Sequence, residues 1–295
     1  MHYNPPVHCW AVQNGAHGPE VEVRHQSGAS LRILLQAAHI TSWTTPEGYE
    51  MLYMSEGAIY KPGVEVRGGI PMCFPQFAFE GPYPDHHGVV SGSPHWKLVH
   101  VDDVKDYIQV TFLYADGSES EAAGMTDQKF SLIYHVRLES KKLHMNWEVV
   151  NNGKIPVRFT GAIHTHFSTP NGVAKCTVKG LKGARYFDKV AGEDKVFEAE
   201  ALTFTGEEQT DYVYKDSPDE LLVDNGRDRI RFEKTHWSDV VVWNIGQKDV
   251  GNIEQMRPDD WNKYVCVEAS LAQKSRLVEL GAGCSWKAFH SLAVL

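Results

Sequence analysis

His164 and His166 stand one residue apart in Gly161-Ala162-Ile163-His164-Thr165-His166-Phe167. Side chains alternate along an extended chain, so in a strand the two imidazoles share a face. Imidazole titrates near pH 6.5 and can give or take a proton at neutrality. A His-x-His pair can also ligate zinc, which needs a third protein ligand at a catalytic site. Glu268, Cys266 and His87 are candidates, but they are scattered and form no ligand signature, and no metal is expected. In Val265-Cys266-Val267-Glu268, Cys266 and Glu268 share one face and the valines the other. A carboxylate pointing inward from an apolar strand is costly unless something satisfies it. Glu268 is therefore either exposed or placed there for function.

Two further segments depart from ordinary strand and turn sequence. Arg67-Gly68-Gly69-Ile70-Pro71-Met72-Cys73-Phe74-Pro75-Gln76-Phe77 packs two glycines and two prolines around an irregular path. Arg67 brings a planar five-donor fork, suited to sugar hydroxyls or an anion, and equally able to stay in solvent. In Asp85-His86-His87-Gly88, adjacent histidines on a strand would face opposite ways, so only one is expected to enter a given pocket. In Asp239-Val240-Val241-Val242-Trp243-Asn244, Asp239 reads as a turn residue and Asn244 as a strand-end cap. A P-loop, a dinucleotide fingerprint and G-x-S-x-G are all missing. Eight Trp and twelve Tyr suit sugar faces and β-sandwich cores alike.

The elements that must carry these residues are strands. Residues 143–150 alternate, with Leu143, Met145, Trp147 and Val149 on one face and His144, Asn146 and Glu148 on the other. Similar runs occupy residues 21–24, 30–35, 97–100, 107–114, 130–138, 157–164, 173–179, 201–204, 221–223, 230–234, 240–243, 265–268, 276–280 and 286–294. Helix is expected only as single turns near residues 121–125 and 259–264. Many short strands without alternating helices predict an all-β fold of two stacked antiparallel sheets, with no linker dividing the 295 residues. The 38 acidic and 29 basic side chains leave a charge of −9, which argues against a nucleic-acid partner. Apolar runs are too short for a membrane helix. Five cysteines without CxxC, and no basic-apolar leader, lead us to expect the cytosol.

Taken together, residues 61–77, His87-Gly88, 162–167, 207–214, 239–244 and Glu268 resemble the glucose-6-phosphate 1-epimerase branch of the aldose 1-epimerases, also called hexose-6-phosphate mutarotases. The likeness runs in order from about Leu31 to Trp286. It implies a galactose-mutarotase-like β-supersandwich that interconverts the α and β anomers of a hexose 6-phosphate, with glucose 6-phosphate the first candidate, without metal or redox cofactor. The partner implied is a small sugar phosphate, and the protein is expected to be a monomer. The family's catalytic histidine matches His164 and its catalytic glutamate Glu268. Arg67 and His87 match substrate-binding residues, Gln76 in the Arg67 block is expected to contact the substrate, and Asp211 matches the aspartate that holds sugar hydroxyls.

Two departures stand out. The family commonly reads HGFAR, with an arginine gripping the phosphate, whereas this chain reads His87-Gly88-Val89-Val90-Ser91 and offers only a hydroxyl at Ser91. The family tends to place Tyr where this chain has His166. His166, Arg67, Lys61 or another basic residue is then needed for a phosphate, unless the substrate is a free hexose. The alternatives are a free-aldose mutarotase and a non-catalytic carbohydrate-binding β-sandwich.

Overall fold

The computed structural model describes residues 9–115 and 129–295. The turn expected at residues 121–125 lies outside them. Two large sheets dominate. A nine-stranded sheet runs in the order Ala201–Thr203, Thr177–Lys179, Glu220–Asp224, Arg229–Thr235, Ser285–Val294, Lys142–Asn151, Phe130–Leu138, Tyr107–Ala115, Trp96–Val104. An eight-stranded sheet runs Glu193–Val196, Arg185–Asp188, Thr210–Lys215, Asp239–Asn244, Tyr264–Leu271, Gly161–Ile163, Met72–Cys73, with His166–Ser168 also paired to Tyr264–Leu271. Cys9–Gly15, Gly18–Arg24, Ser30–Leu34 and His39–Thr44 form a four-stranded meander. Neighbouring strands in the two large sheets pair antiparallel. No helix among the described residues is long and apolar enough to cross a membrane.

The alternation read at residues 143–150 is realised. Lys142–Asn151 alternates between partly exposed and buried residues along its length, with Leu143, Met145, Trp147 and Val149 in the core. Val240, Val242, Val265 and Val267 of the other large sheet join the same core, so the apolar interior lies between the sheets. Tyr264–Leu271 is buried at every position, because its second face is covered too. That covered face carries the chemistry.

The run at 157–164 is not one strand. Val157–Phe159 pairs with Val278–Leu280, whereas Gly161–Ile163 pairs with Tyr264–Leu271 and with Met72–Cys73. The chain changes sheets at Thr160, whose hydroxyl donates to the Glu80 carbonyl and accepts from the Phe77 N–H. Residues 173–179 likewise divide into a 3₁₀ turn, Val173–Lys175, and a short strand, Thr177–Lys179.

Candidate active site

Strand register assembles the site. Phe187 opposes Val213, Val213 opposes Val241, and Val241 opposes Glu268. Two residues along the same strands, Asp211 opposes Trp243, Trp243 opposes Cys266, and Cys266 opposes His166. Positions two apart point to one face, so these rows lie side by side on the covered face of the eight-stranded sheet. The Lys189 N–H donates to the Asp211 carbonyl at 2.9 Å, which adds Lys189 to the end of the second row.

The Arg67 block runs along the edge of this sheet as an irregular arm that ends in Met72–Cys73, paired with Gly161–Ile163. Gly69 has φ 62°, and a Cβ there would meet the Ile40 carbonyl oxygen at 2.3 Å, so only glycine fits. The Gly69 N–H donates to the Tyr53 carbonyl and the Ile70 N–H to that of Ile40, which fixes the arm beside the meander. Further on, the His164 N–H donates to the Pro71 carbonyl and the His166 N–H to the Gly69 carbonyl. The arm and the Tyr264–Leu271 strand thus hold the histidine segment from both sides.

A pocket of about 240 Å³ opens here, and its wall includes Arg67, His87, His164, Asp211 and Glu268. Of the seven positions set out with the family resemblance, five therefore converge from five separate segments. Gln76 and Ser91 do not line it. The Gln76 amide donates to the carbonyls of Ala78, Tyr83 and Asp85, and its oxygen accepts the Tyr83 N–H. Its polar atoms are spent shaping the loop that leads to His87, so it supports the wall rather than facing a ligand. Ser91 is buried within the turn Val90–Gly92.

Both adjacent histidines reach the pocket, contrary to the alternation expected of a strand. His87 is left-handed, with φ 60°, which breaks the alternation and brings His86 to the same wall. His87 Nδ1 accepts the Ala78 N–H at 3.0 Å, so neutral His87 carries its proton on Nε2 and is a donor there. Burial, reinforced by His86, Arg67 and Lys189, holds its pKa well below the usual imidazole range.

His164 and Glu268 are neighbours, with Nδ1 3.4 Å from Oε1, and both are almost fully buried. Burial pushes the Glu268 carboxyl well above its ordinary range, and Asp211 adds to the effect. Burial pushes His164 well below its range, helped by His166 and His87. The neutral acid beside neutral imidazole is thereby favoured, while Coulomb attraction at 3.4 Å favours the ion pair. Either arrangement keeps one transferable proton on the pair. His164 Nδ1 and Glu268 Oε2 have no hydrogen-bond partner among the described residues. Leaving such buried atoms unsatisfied costs about 1–3 kcal/mol each, so both suit a hydroxylated ligand.

His166 lies behind His164, fully buried and outside the pocket wall. The two rings stack at 4.5 Å and 4°. Trp243 stands perpendicular to both. Burial lowers the His166 pKa to about 3, and its Nδ1 faces the carbonyls of Gly69 and His164. It is therefore a neutral platform and no phosphate ligand. The donor atoms of His164, His166 and Cys266 come within 4.8 Å of one another, which reopens the zinc question. A tetrahedral ion bound by two imidazoles lies in both ring planes. Two parallel stacked rings share no such point, so this arrangement does not preorganise a metal site.

The aldose 1-epimerase family model matches residues 19–293. The chain belongs to the aldose 1-epimerase family. A relative from Escherichia coli (strain K12), named "Putative glucose-6-phosphate 1-epimerase", is 31% identical over 251 residues, covering 83% of this chain and 80% of its own. A relative of the same name, from Cenchrus ciliaris, is 25% identical over 292 residues, covering 94% of this chain and 84% of its own. Among solved structures, a "putative mutarotase" from Salmonella typhimurium superposes with a TM-score of 0.82 at 23% identity, covering 100% of this chain and 95% of that one. A galactose mutarotase-like protein from Clostridium acetobutylicum gives 0.75 at 14% identity, covering 99% of both chains. The fold is thus of the galactose-mutarotase kind, antiparallel with few short helices. Family membership places the chemistry with aldose anomer interconversion, an isomerisation of a small sugar.

The pocket also holds Lys189, which the sequence left unmarked, together with Phe77 from the end of the Arg67 block and Trp243. Lys189 follows a short strand in an unremarkable run, Asp188-Lys189-Val190. Only its register with Asp211 brings it here.

Proposed function

We propose that this aldose 1-epimerase interconverts the α and β anomers of a hexose 6-phosphate, with glucose 6-phosphate the first candidate, and that His164 and Glu268 move the protons. The observation that carries the reading is their contact at 3.4 Å inside a pocket that also holds Asp211, Arg67 and His87. Anomer exchange needs a base to take the proton from the C1 hydroxyl and an acid to give one to the ring oxygen O5. Glu268 takes the first proton and His164 supplies the second. The C1–O5 bond breaks, leaving an aldehyde at C1 and a hydroxyl at O5. Rotation about C1–C2 exposes the other carbonyl face, O5 attacks, and each proton returns by the reverse transfer.

The opposite shifts of the two groups help. An ordinary carboxylate and imidazole titrate about two units apart, which leaves the proton firmly on imidazole. Pushing the acid up and the imidazole down closes that gap, so neither direction of transfer is strongly uphill. Arg67 and His87 offer donors to sugar oxygens, and Asp211 accepts from hydroxyls. A carbohydrate-binding protein without catalysis has no need of a buried acid–base pair. The second reading, a free-aldose mutarotase, draws on Ser91, which stands at the family's arginine position and away from the pocket.

The test is the anomerisation rate of freshly dissolved α-glucose 6-phosphate, α-glucose and α-galactose, followed by polarimetry or saturation-transfer NMR. Acceleration of the phosphorylated sugar above the free ones is expected. Equal or greater acceleration of a free sugar would replace the substrate assignment, and no acceleration of any would overturn the catalytic one.

A further inference from the structure

A phosphate needs permanent positive charge at the pocket, and the obvious donor is missing. The pocket wall contains three histidines, His86, His87 and His164, and burial depresses the basicity of all three. Two permanent cations remain in the wall, Arg67 and Lys189. Arg67 is largely buried on the arm, and its guanidinium lies 3.9 Å from Glu65. Lys61 does not line the pocket, and His166 is sealed behind His164.

Lys189 is differently placed. It sits just past Arg185–Asp188 on the same face as Phe187, in register with Asp211. Its ammonium lies 3.5 Å from Asp211 and 5.8 Å from the centre of the Phe77 ring, and its side chain is 30% exposed. It also borders a second cavity, whose lining carries Lys215 and Lys274 together with Glu80 and Asp194, and there Lys215 is paired with Asp194. A flexible ammonium at the mouth can turn from Asp211 to an incoming dianion, while the sugar hydroxyls donate to the Asp211 carboxylate that it leaves.

We infer that Lys189, at the mouth beside Asp211, supplies the phosphate recognition that the family assigns to an arginine at the position of Ser91, and so sets the preference for a phosphorylated sugar. This rests on the hexose-6-phosphate reading above. Lys189 is here a specificity residue; the protons remain with His164 and Glu268.

The wild type, Lys189→Gln and Lys189→Arg are compared for anomerisation of glucose 6-phosphate and of free glucose, and for binding of inorganic phosphate by calorimetry. A charge-assisted contact of this kind is worth roughly a 10–100-fold change. Lys189→Gln should lose that factor in kcat/KM on glucose 6-phosphate, mostly through KM, with less than about a threefold loss on free glucose. Its phosphate affinity should fall in parallel, and Lys189→Arg should recover most of both. Equal losses on the two sugars would mean that Lys189 acts only by holding Asp211, and would overturn the inference. Unchanged phosphate binding in Lys189→Gln would do the same. A wild type that prefers glucose 6-phosphate, with the preference intact in Lys189→Gln, sinks the role of Lys189 alone. A wild type that accelerates neither sugar sinks the mutarotase reading itself.

Discussion

Glu268 and Glu233 are the same residue type on strands of the two large sheets, and the structure treats them in opposite ways. Glu233 lies on the partly exposed face of Arg229–Thr235, where the Lys142 ammonium and the Ser291 hydroxyl both donate to its carboxylate at 2.9 Å. Those bonds, Lys142's first, hold its pKa below the usual carboxylate range. Glu268 is almost fully buried in the pocket wall, keeps one oxygen without a hydrogen-bond partner among the described residues, and is pushed up by burial. A histidine stands in each region: His144 lines the same surface groove as Glu233 but pairs with Glu139 at 3.1 Å, whereas His164 lies against Glu268. Residue type is therefore a poor guide to reactivity. A satisfied carboxylate at a surface stays ionised and inert, whereas a buried and unsatisfied one is poised to exchange a proton.

The largest way to break this comparison is chemical. Glu268→Gln and His164→Ala should each slow anomer exchange by about 10²–10⁴-fold, while Glu233→Gln leaves the rate within a factor of about two. Wild-type rates in purified, folded Glu268→Gln would end the base assignment. Asp211→Asn comes next. It removes a charged acceptor for sugar hydroxyls, so kcat/KM should fall by about 10–100-fold for free and phosphorylated sugars alike. A loss confined to the phosphorylated sugar would instead place Asp211 in phosphate recognition.

A smaller effect concerns stability, and its sign separates the two carboxylates. Glu268 has a raised folded pKa, so its favourable contribution is present below about pH 4.3 and is lost as pH rises through the folded value. Glu268→Gln should then match the wild type in acid and exceed it at neutral pH, by about 1–3 kcal/mol. Glu233 has a lowered folded pKa, so its contribution is present at neutral pH and is lost as pH falls through the folded value. Glu233→Gln should be less stable at neutral pH and match the wild type in acid. Its surface position limits the difference to less than about 1 kcal/mol. Denaturant melts between pH 3.5 and 8 measure both. Curves that diverge in the same direction would remove the contrast.

The nine-stranded sheet was legible because one of its faces meets the core and the other is partly exposed, so hydropathy alternates as the pleat does. Leu143, Met145, Trp147 and Val149 could be assigned to a face from spacing alone. Tyr264–Leu271 is buried on both sides, and there polarity no longer reports which way a residue points. Spacing put Cys266 and Glu268 on one face but left that face open or closed. The resemblance led to Glu268, His164, Arg67, His87 and Asp211, which the structure gathers into one pocket. It also led to Gln76 and Ser91, which share their neighbours' segments without facing the cavity. Segment likeness carries position along the chain and says nothing of side-chain direction at a turn.

By itself the sequence determined the strand-rich architecture, the acidic balance, and the residue types able to open a sugar ring, because period-two hydropathy and side-chain chemistry are local properties. Only the tertiary structure decided that His164 and Glu268 touch, that His166 stacks behind His164 outside the pocket wall, and that Lys189 stands beside Asp211 at the mouth. Register between strands distant in the chain sets those contacts, and burial sets the proton affinities. Both depend on what covers a face, which no single strand encodes.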